Sequence, residues 1–203
     1  MKQALMILRE DLKVMKWYFL FGSLLFIASM VLGYSYEPFH QMLDEQLQQI
    51  GEVAQDLNEK DNKEHWFFAF IFLNNAIKGV LIIFAGLLLG LLPLLFIVMN
   101  GMILGYLYMS LEQAGESALL IFVKGILPHG IIELPVIIVA ASYGLRMGVL
   151  ALQALGRRSG NRQAGGMTLS GMFKVSLPLS LLIAGALFVA ALIEAYLTPL
   201  ILQ

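Results

Sequence analysis

From Trp66 to Leu111 the sequence carries one charged residue, Lys78, in a run more than twice the ~20 residues a helix needs to cross a ~30 Å hydrocarbon core. A run that long is expected to cross twice. Gly90 and Pro93 mark a break within it, so Trp66–Leu89 and Leu91–Leu111 are read as two spans joined by a tight hairpin. Three further stretches reach spanning length: Trp17–Tyr36, with aromatic anchors at both ends, Ile131–Leu152 and Val175–Ile201. After the polar loop Glu112–Ser117, the stretch Ala118–Leu127 is apolar but short, and Pro128-His129-Gly130 interrupts it. That length suits a half-helix or re-entrant segment, which is tolerated only where protein covers its backbone polar groups. The fold class expected is an all-α polytopic membrane helix bundle of about five spanning helices plus one re-entrant or half-helix. The lipid bilayer is its first partner.

Composition narrows the function. The chain is 59% hydrophobic and 13% charged, with mean hydropathy +0.80, too greasy to keep a water-facing surface. A formal net charge of −1 argues against nucleic acid, which needs a basic face to neutralise phosphates. Without cysteine there is neither a disulfide nor a thiolate metal site. No phosphate-binding glycine loop is present, and Ser110, Ser117 and Ser142 lack the context of a nucleophile, so the residues favour a non-enzymatic role and no catalytic residue is assigned.

The chain divides into four regions. Residues 1–16 are a charged amphipathic lead on the cytoplasmic side, without a small-x-small cleavage site after it. Residues 17–36 are the first span, and residues 66–203 form the main membrane domain. Between them, 37–65 is an acidic extracytoplasmic loop with Glu37, Asp44, Glu45, Glu52, Asp56, Glu59, Asp61 and Glu64 against Lys60 and Lys63. In it Phe39, Leu43, Leu47, Ile50, Val53, Ala54 and Leu57 recur at helical spacing, predicting an amphipathic helix on the membrane or the bundle's outer mouth, or a docking surface for a protein partner. Lys2, Arg9, Lys13 and Lys16, with Arg157, Arg158, Arg162 and Lys174, set the positive-inside bias. It predicts a multi-pass protein of the plasma (cytoplasmic) membrane, N-terminus cytoplasmic and C-terminus extracytoplasmic. Gly101 with Gly105, and Gly86 with Gly90, allow close helix packing and are compatible with a homodimer.

An ionisable group at membrane depth costs several kcal/mol unless paired or hydrated. Asn74-Asn75 lies in the second span, Asn100-Gly101 in the third, His129 and Glu133 four apart in LPHGIIELP, and Glu194 and Thr198 four apart at the end of the last span. On the predicted topology Asn74, Asn75, His129, Glu133, Glu194 and Thr198 reach similar depth in the outer leaflet. Three readings stand. The groups can be an interhelical hydrogen-bond network, with Pro128 and Pro135 freeing backbone groups for side chains to cap. They can be a path for a proton or small solute, with His129 titrating near neutrality. Or His129, Glu133 and Glu194 can ligate a divalent metal ion, though the second His of HExxH is missing and the site is not that of a zincin. Lys78 and Lys124, inside apolar runs, either snorkel to an interface or, for Lys78, pair with a buried glutamate.

At these residues the sequence resembles the stage II sporulation protein M family of integral membrane proteins. The carriers are Asn74-Asn75 after an aromatic run, Asn100-Gly101 with Gly105, LPHGIIELP with His129 and Glu133, and IEAYLTP with Glu194, Thr198 and Pro199, covering roughly residues 66–200. The resemblance implies a non-enzymatic membrane scaffold or anchor that works with cell-wall-remodelling partners, as the family's namesake does with peptidoglycan-degrading proteins during spore engulfment. This sequence carries the HGxxE form of the wider family, so membership is implied more strongly than a sporulation role.

Overall fold

The computed structural model describes residues 2–156 and 167–202, which are helical almost throughout and contain no strand. Helix α1 is Lys2–Ser35, and after a 3₁₀ turn at Glu37–Phe39 come α2, His40–Asn58, α3, Lys63–Ala85, and α4, Leu91–Gln113. Then α5, Ala118–Ile121, passes through a π-turn at Phe122–Ile126 into α6, Leu127–Gly156, and α7, Leu169–Leu192, passes through a second π-turn at Ile193–Leu197 into α8, Thr198–Leu202. Among the described residues five helical stretches are long and apolar enough to cross a membrane: Lys13–Ser35, Lys63–Ala85, Leu91–Gln113, Ala118–Leu155 and Leu169–Leu202. They form a membrane helix bundle. Leu24, Leu81, Leu181 and Leu182 are each more than half exposed on its outside. Apolar surface at that density is unfavourable in water by ~25 cal/mol per Å² and neutral against lipid tails. Arg157, Arg158 and Arg162 lie outside the described residues.

Helices α1, α4 and α7 run one way and α3 and α6 the other, so α2 and α8 sit at the same end of the bundle. Interior glycines let the backbones touch. A Cβ at Gly105 would overlap the Met30 carbonyl, and one at Gly101 would stand 2.6 Å from the Phe26 oxygen, so this glycine pair packs α4 against α1 of the same chain. At the other end Gly86 of the α3–α4 hairpin meets Gly144 of α6 in the same way. There Met15, Ile83, Met147, Met172 and Leu187 fill the main apolar core.

The α3–α4 turn falls at Gly86–Gly90, where Leu89 (φ 58°) and Gly90 (φ 77°) adopt left-handed backbone. Pro93 stands just inside α4, where a missing N–H leaves no helical acceptor unsatisfied. The half-helix expected at Ala118–Leu127 is the opening of a longer helix: Pro128 does not break it. Proline has no N–H for the carbonyl four residues back, and the π-turn before it carries the chain over that gap, with the Leu127 N–H on the Phe122 carbonyl. The resulting 38-residue stretch is roughly 57 Å long and outruns the hydrocarbon core. The 1–16 lead is likewise continuous with the first span, in one helix from Lys2.

The amphipathic helix expected in the acidic loop is α2; Leu43, Leu47 and Leu57 of its apolar stripe are turned inward, while Ile50 is exposed. Leu43 is fully buried against Met102, Tyr106 and Met109 of α4, and the Tyr106 hydroxyl donates to Asp44 at 3.3 Å. Glu45, Glu52 and Asp56 are exposed on the opposite face.

Candidate functional site

The site sits in the half of the bundle nearer α2, where α3, α4, α6 and α7 leave space between them. Three local features aim its side chains. Phe68 and Phe72 meet Phe188 edge-on at 5.1 and 5.3 Å, which presents Asn75, one helical turn on, toward α6. His129 and Glu133, four apart on α6, share one face. Glu194 lies within the second π-turn, which Thr198 stabilises twice: its N–H and its hydroxyl (3.2 Å) both donate to the Ile193 carbonyl. Each π-turn ends two residues before a proline, Pro128 or Pro199. Each also adds a residue to the turn and so rotates the downstream helix relative to a regular α-helical register. The first packs against α8, where Gly125 faces Leu202.

The geometry is close but not saturated. Glu133 accepts a hydrogen bond from the Asn75 side-chain amide at 3.0 Å, and the Asn74 side-chain amide donates to Asn75 Oδ1 at 3.3 Å. His129 Nε2 stands 3.8 Å from Glu194 Oε2, beyond hydrogen-bonding distance, with the two side chains 12% and 31% exposed. His129 Nδ1 is buried without a partner. One ligand atom from each of His129, Glu133 and Glu194 lies within 4.8 Å of the others. Four residues from three helices thus converge on a volume a few ångströms across, with Asn74 joined through Asn75. Asn100 and Thr198 line the same space, but the amide of Asn100 donates to its own helix at Phe96 O (2.7 Å) and Thr198 is engaged in the π-turn.

Two cavities open on this point. One, of about 430 Å³, is lined by His129, Glu133, Glu194, Thr198 and Asn100 and extends along α4 to Leu111. The other, of about 800 Å³, runs past Asn74, Asn75 and Lys78 to Ala85 and Leu92 at the opposite end. Asn100, Ile103 and Ile137 belong to both walls. The stretch of α4 that they share out, Leu92 to Leu111, is about 28 Å long, close to the hydrocarbon thickness. Lys78 is exposed in the larger cavity and forms no ion pair with a glutamate of the cluster among the described residues. Gln46 and Ile50 of α2 also wall the larger cavity, a role that sequence reasoning did not assign to them. Ile50 does belong to the apolar stripe, but helical spacing does not say which surface lies opposite it.

A family model, Stage II sporulation protein M, matches residues 18–199, taking in the first span and α2 as well as every residue of the cluster. No curated protein and no solved structure matches the chain.

Proposed function

The chain belongs to the stage II sporulation protein M family, and from that premise we propose that it binds and passes a small cation or polar solute at the Asn75–Glu133–His129–Glu194 cluster. The observation that carries this reading is the pair of cavities that share Asn100, Ile103 and Ile137 as wall, with His129, Glu133 and Glu194 lining one and Asn75 the other. Energetics point the same way. Helices can be glued inside a membrane by neutral amides and hydroxyls. Two carboxylates there cost far more, and the partners they have are one amide and one imidazole. A cationic guest supplies what the fold leaves out. On the positive-inside reading the α2 end faces out of the cell, across the plasma membrane, so the cluster is reached from that side first.

The test is flux into liposomes from purified protein, with monovalent and divalent cations, protons and small polar solutes offered in turn. Flux should fall with Glu133→Gln and with Asn100→Leu. No flux for any of them, in protein shown to be folded, overturns the reading.

A second reading, a scaffold for envelope-remodelling partners, is favoured by α2. Its apolar stripe is anchored on α4, leaving Glu45, Glu52 and Asp56 as a fixed acidic ledge. A basic partner would be recognised there. Replacing the three acids by lysine should abolish partner co-purification while leaving flux intact, whereas Glu133→Gln should do the reverse.

A further inference from the structure

We propose that His129, Glu133 and Glu194 are the ligands of a divalent transition-metal ion bound between α6 and the π-turn of Ile193–Leu197. The inference rests on reading the cluster as a ligand site, and does not require that anything crosses the membrane.

The donor set comes first. One imidazole and two carboxylates, from two helices, place their ligand atoms within 4.8 Å of one another. Bonds of ~2.0–2.2 Å to a tetrahedral ion hold donors about 3.3–3.6 Å apart. His129 Nε2 and Glu194 Oε2 stand 3.8 Å apart.

A second observation concerns the surroundings of His129. His129 is largely buried, its Nδ1 has no partner, and its Nε2 finds only a carboxylate oxygen too distant for a hydrogen bond. The 3.8 Å separation on the Nε2 side leaves room for an ion between the imidazole and the Glu194 carboxylate, where direct hydrogen bonding is too long. Glu133, by contrast, is oriented: the Asn75 N–H holds Oε1 at 3.0 Å, the kind of outer contact that fixes a metal-binding carboxylate. The charges also balance. Two carboxylates and a neutral imidazole around an M²⁺ ion sum to zero, which removes the penalty of isolated charge at this depth.

Chemistry selects the class. An imidazole with two carboxylates suits Zn²⁺, Mn²⁺ or Fe²⁺, whereas Mg²⁺ prefers an all-oxygen, largely hydrated octahedron, and Cu⁺ prefers sulfur. Three protein ligands leave a coordination position facing the cavity of about 430 Å³, where a water or a solute oxygen fits.

The experiment uses the full chain in detergent, stripped with chelator and then dialysed against Zn²⁺, Mn²⁺ or Co²⁺ in separate samples. One ion per chain is expected. Affinity should fall on the order of 100-fold or more in His129→Ala and in Glu194→Gln, and ~10–100-fold in Asn75→Leu, which removes only the outer contact. His40→Ala and His65→Ala, the two remaining histidines, should bind as the parent does. Should the site variants fail to fold, pulsed electron paramagnetic resonance on the Mn²⁺-loaded parent decides, since it should show coupling to one imidazole nitrogen. Absence of that coupling, less than half an ion per chain, or binding undiminished in folded His129→Ala, each overturns the proposal. Flux without metal binding sinks this inference and spares the transport reading; stoichiometric metal without flux does the opposite.

Discussion

The side-chain amide of Asn75 donates to the carboxylate of Glu133 at 3.0 Å, joining α3 to α6 across 58 positions of sequence. This bond links the wall of one cavity to the wall of the other, and it is the contact through which the helices of the cluster are most directly coupled.

Removing it tests that coupling. Asn75→Leu keeps the branching at Cγ and leaves Glu133 without its donor, which should destabilise the protein by about 1–3 kcal/mol. Glu133→Gln in the same background should recover part of the loss, because the uncompensated charge goes with it. Unfolding in mixed micelles for the two single variants and the double variant gives the interaction energy. A value of zero would mean the bond is geometric only.

Leu43 is the fully buried anchor of α2 on α4. Leu43→Ala should cost about 2–5 kcal/mol of local stability. Because α2 is a peripheral element, the loss should show as protease cleavage within 40–58 before the bundle itself melts. Cleavage no faster than in the parent would mean that Tyr106–Asp44 and the other contacts hold α2 unaided.

At Gly105 even one methyl group would meet the Met30 backbone of α1. Gly105→Ala should therefore cost about 1–3 kcal/mol by overpacking, and Gly105→Leu should prevent α1 from docking. Size-exclusion profiles and crosslinking between α1 and α4 report the outcome. Gly185, with nothing within 4 Å of a Cβ placed there, should accept alanine without penalty.

Leu181 is 77% exposed near the middle of the last span. In lipid, Leu181→Arg should raise the cost of inserting that helix by about 2.5–3.5 kcal/mol. The membrane-integrated fraction of a translated chain measures this directly. Unchanged integration would show that this face meets water or protein rather than lipid tails.

Much of the architecture was legible in the chain because it comes from one-dimensional quantities. Apolar run length against hydrocarbon thickness sets the number of spans, and it needs no knowledge of neighbours. The stripe of Leu43, Leu47 and Leu57 likewise makes α2 a helix whatever it packs on. The residues of the cluster also stood out individually, since an amide, imidazole or carboxylate within a greasy run is anomalous wherever the run ends up.

Contact is a different matter. That Asn75 meets Glu133, that His129 faces Glu194 at 3.8 Å, and that Gly105 rests on Met30 depend on which helices are neighbours and how each is rotated about its axis. In a membrane that rotation is weakly encoded, because lipid and protein interior are both apolar and the hydrophobic stripe that orients a helix in water fades. The π-turns at Phe122–Ile126 and Ile193–Leu197 add a further rotation that residue counting on a regular helix misses. Pro128 read as a break for the same reason: a proline's missing hydrogen bond can end a helix or be absorbed by one wider turn, and only the packing of α5, α6 and α8 chooses between them. The sequence by itself determined a five-span bundle with polar residues inside it; tertiary structure alone decided that those residues share one site.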